Sequence, residues 1–204
     1  MSEQSFKERA RLTMISMAKL YKEKYVDYEY LICSGGFVKN HYYIIDAEED
    51  NFQHLTGVHS LISPKEFFDK CCDGTLQEED FDFIKKGQDE KSVKGTVRRK
   101  INVLPDMMAL FDKALMVEED YQKNNVACSF AAADGSCTLG FSKSIKARPK
   151  SLIKGNTLSN PSKVDLILRK KSGEKLFDEI ILGDLDDLAK YRKKIQNLLA
   201  EQLL

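Results

Sequence analysis

Val126–Phe141 reads VACSFAAADGSCTLGF, two apolar segments on either side of Asp134-Gly135. That dipeptide is a strong signal for a short hairpin, because its glycine takes the positive φ that a two-residue turn needs. Further along, Val164, Leu166 and Leu168 alternate with residues of the opposite face. After Lys171-Ser172-Gly173, the run from Leu176 to Leu182 returns as the arm of a second hairpin. Nearer the start, Tyr28 to Cys33 and His41 to Asp46 are rich in aromatic and branched residues, and Gly35-Gly36 between them marks a turn or bulge. Strands that cluster, without regular alternation with helices, indicate an α+β fold: helices packed on an antiparallel sheet built mainly from two hairpins.

The helices announce themselves by spacing and caps. Phe6, Ala10, Met14, Met17, Tyr21 and Tyr25 form one amphipathic stripe. Ser63, Pro64 and Glu66 make an N-terminal cap ahead of Phe67, Phe68, Cys71 and Cys72, and Gly74 ends that helix. Thr75 and Glu78 repeat the cap, which predicts a second short helix carrying Phe81 and Ile84 and closed by Gly87. Val93, Val97, Ile101 and Leu104 mark a third. Pro105 is expected to kink or end it, with helix resuming from Asp106 to about Val117. Leu185, Leu188, Ile195, Leu198 and Leu199 define a closing helix. The expected plan is an N-terminal helix over 1–26, a main body over 27–183 and a C-terminal helix over 184–204, one domain in all. Lys154 to Ser162 reads as a loop between hairpins.

Composition excludes more than it assigns. Lys+Arg and Asp+Glu both number 32, so no global field draws the chain to a polyanion, and any such site must come from local segregation of charge. The cysteines, 5 in number, show no metal-ligand spacing and read as buried or incidental thiols. Met1 to Arg11 lacks the apolar core of a signal peptide, and no apolar run approaches the ~18 residues of a membrane span. Free thiols without an export signal lead us to expect a cytoplasmic chain with no membrane partner. Walker, GxGxxG, GxSxG, HExxH and EF-hand patterns are missing, so no cofactor or metal is expected.

Three histidines are available: His41, His54 and His59. His41 falls in a strand, and the five-residue step from His54 to His59 is poor spacing for ligands on one helix face. His54 stands beside Thr56 and Gly57 at the end of an expected strand or loop. An imidazole with its ordinary pKa near ~6.5 exchanges protons at neutral pH. Charge gathers in two stretches. Lys85 to Lys100 includes Lys86, Lys91, Lys94, Arg98 and Arg99; Lys143 to Lys154 includes Lys146, Arg148 and Lys150 and no acid. Brought together, they would wall a cleft for a phosphodiester backbone; apart, they are two solvated faces. Metal-free RNA cleavage needs a base for the 2′-hydroxyl, an acid for the leaving oxygen, and cations for the charge on phosphorus oxygens.

The segment Asn51-Phe52-Gln53-His54-Leu55-Thr56-Gly57-Val58 resembles the signature of a phage-associated nuclease-like family of the Barnase–EndoU–colicin–RelE (BECR) class, the fourth such phage group. Phe67-Phe68 with Gly74, Lys100-Ile101-Asn102-Val103-Leu104, Leu139-Gly140-Phe141 and Arg148-Pro149-Lys150-Ser151-Leu152 are similar in the same order, so the likeness runs from Tyr28 to Leu182. The resemblance implies ribonuclease-type activity, with His54 as acid or base and Thr56, Lys100, Arg148 and Ser151 as phosphate or transition-state contacts. Lys94, Arg98, Arg99, Lys146 and Lys150 would bind nucleic acid. Arg148 departs from the pattern, standing where an aromatic residue is expected before the proline, and no second general acid aligns. The expected partner is RNA, tRNA or another structured RNA, together with an inhibitor or host protein. The alternatives are a non-catalytic RNA- or protein-binding module of the same fold, and an assembly domain using its terminal helices.

Overall fold

A computed structural model describes residues 5–123, 126–142 and 146–204; Lys143, from the second basic stretch, lies outside them. The chain opens with α1 (Phe6–Tyr21), capped by the Ser5 hydroxyl, which accepts from Glu8 N at 3.0 Å. A π turn over Lys22–Val26 carries Tyr25 inward, where its hydroxyl donates to the Met107 carbonyl. Strands β1 (Tyr28–Cys33) and β2 (Tyr43–Asp46) follow as an antiparallel pair. Then come α2 (Asn51–Thr56), β3 (His59–Ser60), α3 (Pro64–Asp73), β4 (Phe81–Asp82) and α4 (Glu90–Met108).

The second half is mostly strand: β5 (Met116–Glu119), β6 (Gln122–Lys123), β7 (Val126–Ala127), β8 (Phe130–Ala133), β9 (Cys137–Phe141), β10 (Lys146–Ala147), β11 (Pro149–Lys154), β12 (Ser162–Lys163), β13 (Leu166–Lys171) and β14 (Glu179–Leu182). Helix α5 (Leu185–Ile195) closes the chain with short 3-10 turns behind it. The Asp134-Gly135 hairpin forms as expected between β8 and β9. Asp134 Oδ1 accepts from Ser136 N at 2.9 Å, and Gly135 has φ 102°. The second expected hairpin is β13–β14, with a register shift between Ile167 and Leu168.

The α+β class holds, and among the described residues ten strands form two five-stranded sheets, ordered β10-β2-β1-β13-β14 and β11-β9-β8-β5-β12, while β3 with β4 and β6 with β7 pair separately. All pairs in these sheets are antiparallel except β10 with β2. The first sheet is covered on both faces. Tyr30, Ile32, Tyr43 and Ile45 join the main core with α1, α3 and α4, while Leu31, Cys33, Leu166 and Leu168 meet Leu188, Tyr191 and Ile195 of α5. Two-sided burial explains why β1 reads as an unbroken apolar run from Tyr30 to Cys33. Phe130 of the second sheet stacks on Phe141 (4.5 Å) and on Tyr43 (4.4 Å), joining the sheets through aromatic contact.

Three local expectations are corrected. The His54 segment is neither strand end nor loop but the helix α2, which buries Phe52 and Leu55 and is ended by Gly57 at φ 79°. The second short helix after Gly74 is only a 3-10 turn, Glu78–Asp80, followed by β4. Asp80 fixes that turn by accepting from Gln77 N and Lys70 Nζ, both at 2.8 Å, and Phe81-Asp82-Phe83 then alternates as a strand does. Of the two outcomes expected at Pro105, ending the helix does not occur: the residue lies within α4, which resumes after it as expected but only as far as Met108. Pro105 sits on the exposed face, while Val103, Leu104, Met107 and Met108 are buried around it. Their burial outweighs the ~3 kcal/mol that an interior proline costs. The helix expected to reach Val117 ends at Met108, and β5 begins at Met116.

A helix of 6 residues has little stability of its own, so α2 depends on what it buries. Phe52 packs on Tyr21 at 5.3 Å and Phe68 at 5.6 Å, binding α2 to α1 and α3. Phe52→Ala is expected to lower the unfolding free energy by about 3–5 kcal/mol in urea denaturation; a loss under about 1 kcal/mol would contradict this anchoring.

Candidate functional site

The burial of Phe52 and Leu55 on one side of α2 leaves His54 exposed on the other. Just beyond, Gly57 turns the chain with a left-handed conformation and bare backbone. A Cβ placed at Gly57 would lie 2.7 Å from Lys100 Cδ, so the Lys100 stem crosses where only glycine leaves room. Lys100 extends from α4, and its Nζ donates to the His54 carbonyl at 2.8 Å. Desolvation, with the neighbouring charge of Lys85 second, pushes the Lys100 pKa down to about 8. Desolvation lowers that of Lys85 as well.

Two clefts adjoin at Lys85. One, of about 370 Å³, is lined by Gln53, His54, Gly57, His59, Ser60 and Lys85 among others. The other, of about 410 Å³, is lined by Lys85, Arg99, Lys100, Lys123, Ser151 and Lys154 with their neighbours. No aspartate or glutamate lines either one among the described residues. The register shift between Pro149 and Ser151 sets the Ser151 position on β11, opposite Gly140. Among the described residues, no group of three or more His, Cys, Asp or Glu is placed to hold a metal ion. No described helix is long and apolar enough to cross a membrane.

Lys100, Ser151 and Arg99 therefore line one cleft and His54 the adjoining one, with Lys85 common to both, and the remaining expected site residues lie elsewhere. Thr56 is fully buried, and its hydroxyl donates to the Gln53 carbonyl at 2.7 Å. It shapes the end of α2 and is out of reach of a phosphate, which corrects the contact expected of it. Arg148 pairs with Glu48. Lys146 reaches Asp46 at 3.3 Å and Glu29 at 3.5 Å. Both are tied to acids on the β10–β2 side and do not line the cleft. Lys150 donates to the Ala127 carbonyl at 3.0 Å. Lys94 and Arg98 line a separate groove, where they lie over the rings of Phe83 and Phe6.

Of the two basic stretches, it is chiefly the ends that meet, Lys85 and Lys100 from one and Lys154 from the other. Lys123 adds a cation that stands alone in the sequence. His59 also lines the first cleft, and behind it Nδ1 lies 2.9 Å from Oδ1 of Asp82. The two residues are partners across β3 and β4, a pairing that no local spacing displays.

The lowered Lys100 pKa has a stability consequence. The desolvation penalty is fully present below about 8 and is relieved as pH rises from there toward the ordinary 10.5, because the unfolded chain then binds the extra proton. Lys100→Met keeps the stem over Gly57 and removes the charge. It is expected to leave stability at pH 7 unchanged or up to about 2 kcal/mol higher, with wild type gaining on it across that window. Denaturation series at pH 7 to 10 read both; a loss above about 2 kcal/mol at pH 7 would contradict the penalty.

Residues 13–176 match the family described as phage-Barnase-EndoU-ColicinE5/D-RelE like nuclease4 (PBECR4). No curated protein and no solved structure matches the chain. The matched residues take in α2, α4, β11 and every side chain of the two adjoining clefts. Matched over most of its length, the chain belongs to this nuclease-like family.

Proposed function

We propose that this protein is a metal-independent ribonuclease that cleaves RNA through the substrate's own 2′-hydroxyl. The observation that carries the reading is a cleft walled by Lys85, Arg99, Lys100, Lys123 and Lys154, with no carboxylate lining it among the described residues, that adjoins the exposed His54. Such a wall attracts a phosphodiester backbone even though the chain as a whole is neutral.

In this reading His54 takes the 2′-hydroxyl proton. Lys100 and Lys85 stabilise charge on the phosphorus oxygens, and Ser151 donates from β11. A partly desolvated ammonium acts on that charge more strongly than a solvated one, because the local dielectric is lower. The substrate class is RNA, with tRNA and other structured RNAs as first candidates. DNA lacks the internal nucleophile and is not cleaved by this route.

Purified protein is expected to cut structured RNA in EDTA and leave 2′,3′-cyclic phosphate ends. His54→Ala should slow the reaction by about 10²–10⁴-fold. Complete suppression by EDTA, or full activity of His54→Ala, would contradict the proposal. The pH profile gives a second test. Lys100 loses its charge as pH rises through about 8, so the rate should fall there. Lys100→Arg keeps its charge and should carry the alkaline limb upward; a limb at about 8 in both proteins would exclude Lys100 as its origin.

A further inference from the structure

The ribonuclease reading leaves one proton without a source: the departing 5′-oxygen must be protonated, and His54 is already committed to the 2′-hydroxyl. A second imidazole borders the same cleft. His59 and Lys85 line it together with His54, and the His59 side chain is 49% exposed. Its orientation is fixed. In the β3–β4 pair His59 stands opposite Asp82. Nδ1 lies 2.9 Å from Asp82 Oδ1, the same oxygen that accepts from Ile84 N at 2.9 Å.

An ionised carboxylate only accepts hydrogen bonds, so the Nδ1 side of the ring carries the hydrogen. That leaves Nε2 as the position able to give or take a proton. An exposed His–Asp pair adds little stability, about 0–1 kcal/mol, so what it chiefly provides is a fixed tautomer and ring direction. Lys100 has another task in that reading, the charge on the phosphorus oxygens, and its ammonium is held at the His54 carbonyl.

We propose that His59, positioned by Asp82, is the general acid of this site, an assignment that rests on the ribonuclease reading. His54 accepts the 2′-hydroxyl proton as the 2′-oxygen bonds to phosphorus. The P–O5′ bond breaks, and the His59 Nε2 proton passes to the 5′-oxygen. The products are a 2′,3′-cyclic phosphate and a 5′-hydroxyl, and exchange with water restores both rings.

The test uses one RNA oligonucleotide that the wild type cleaves, made in two forms: with the natural 5′-oxygen, and with sulfur bridging phosphorus and C5′ at the scissile position. A thiolate departs without a proton. His59→Ala and His59→Gln are expected to lose about 10²–10³-fold on the natural RNA and less than about tenfold on the sulfur form. His54→Ala should lose heavily on both. Asp82→Asn should lower kcat on the natural RNA, leave KM unchanged and be rescued by sulfur in the same way. Equal losses on the two forms, or no loss on the natural RNA, would overturn the role of His59 and leave the ribonuclease reading standing. A folded wild type that cleaves neither form, nor any of several structured RNAs, overturns that reading and the assignment with it.

Discussion

The Lys100 side chain, its stem laid across Gly57 and its ammonium bonded to the His54 carbonyl, makes the contact on which the rest of the site depends. It joins the two elements that supply the cleft, a long helix and a very short one. It also keeps a cation partly desolvated, next to Lys85, at a place where a carboxylate would have neutralised it. Structural economy alone would not retain such a charge, since burying it costs stability. The two surrounding constraints, a glycine at positive φ and a phenylalanine anchored on two helices, both serve to hold that lysine and His54 in one place.

Charge is partitioned, and the partition explains how a chain with 32 basic and 32 acidic residues acquires a basic cleft. Acids are placed against cations away from it: Glu48 with Arg148, Asp46 and Glu29 with Lys146, Glu90 with Lys94, Asp80 with Lys70. Screening by salt weakens such exposed pairs, so their value is in where they leave the acids, more than in stability. The cleft lining, by contrast, carries lysines and Arg99 and no acid among the described residues.

Much of this was legible in the sequence where the signal is local. The Asp134-Gly135 hairpin, the Ser63-Pro64-Glu66 cap and the stripe of α1 follow from turn chemistry and periodicity over a few residues, and all three form. The stripe did shift in detail: Ala18 is fully buried where Met17 is only partly so. Short elements were not legible. Six residues are too few to show a helical period, so α2 was hidden, and capping residues at Thr75 and Glu78 imitated a helix start where Asp80 closes a single turn. The site was half legible. His54, Lys100 and Ser151 followed from likeness to a family, whereas Arg148 and Lys146 looked equivalent to them until pairing with Glu48, Asp46 and Glu29 separated them. The division of the strands into two sheets, and the meeting of His59 with Asp82, depend on contacts between distant segments that no window of sequence contains.

The most direct test of the central claim, that RNA crosses the cleft where α2, α4 and β11 meet, is a structure of the protein with an oligonucleotide carrying 2′-hydrogen at its cleavage position. The expected result is a phosphate held between Lys85 and Lys100, beside His54 and Ser151. RNA seated on the groove of Phe6, Phe83, Lys94 and Arg98, with the His54 cleft empty, would contradict it.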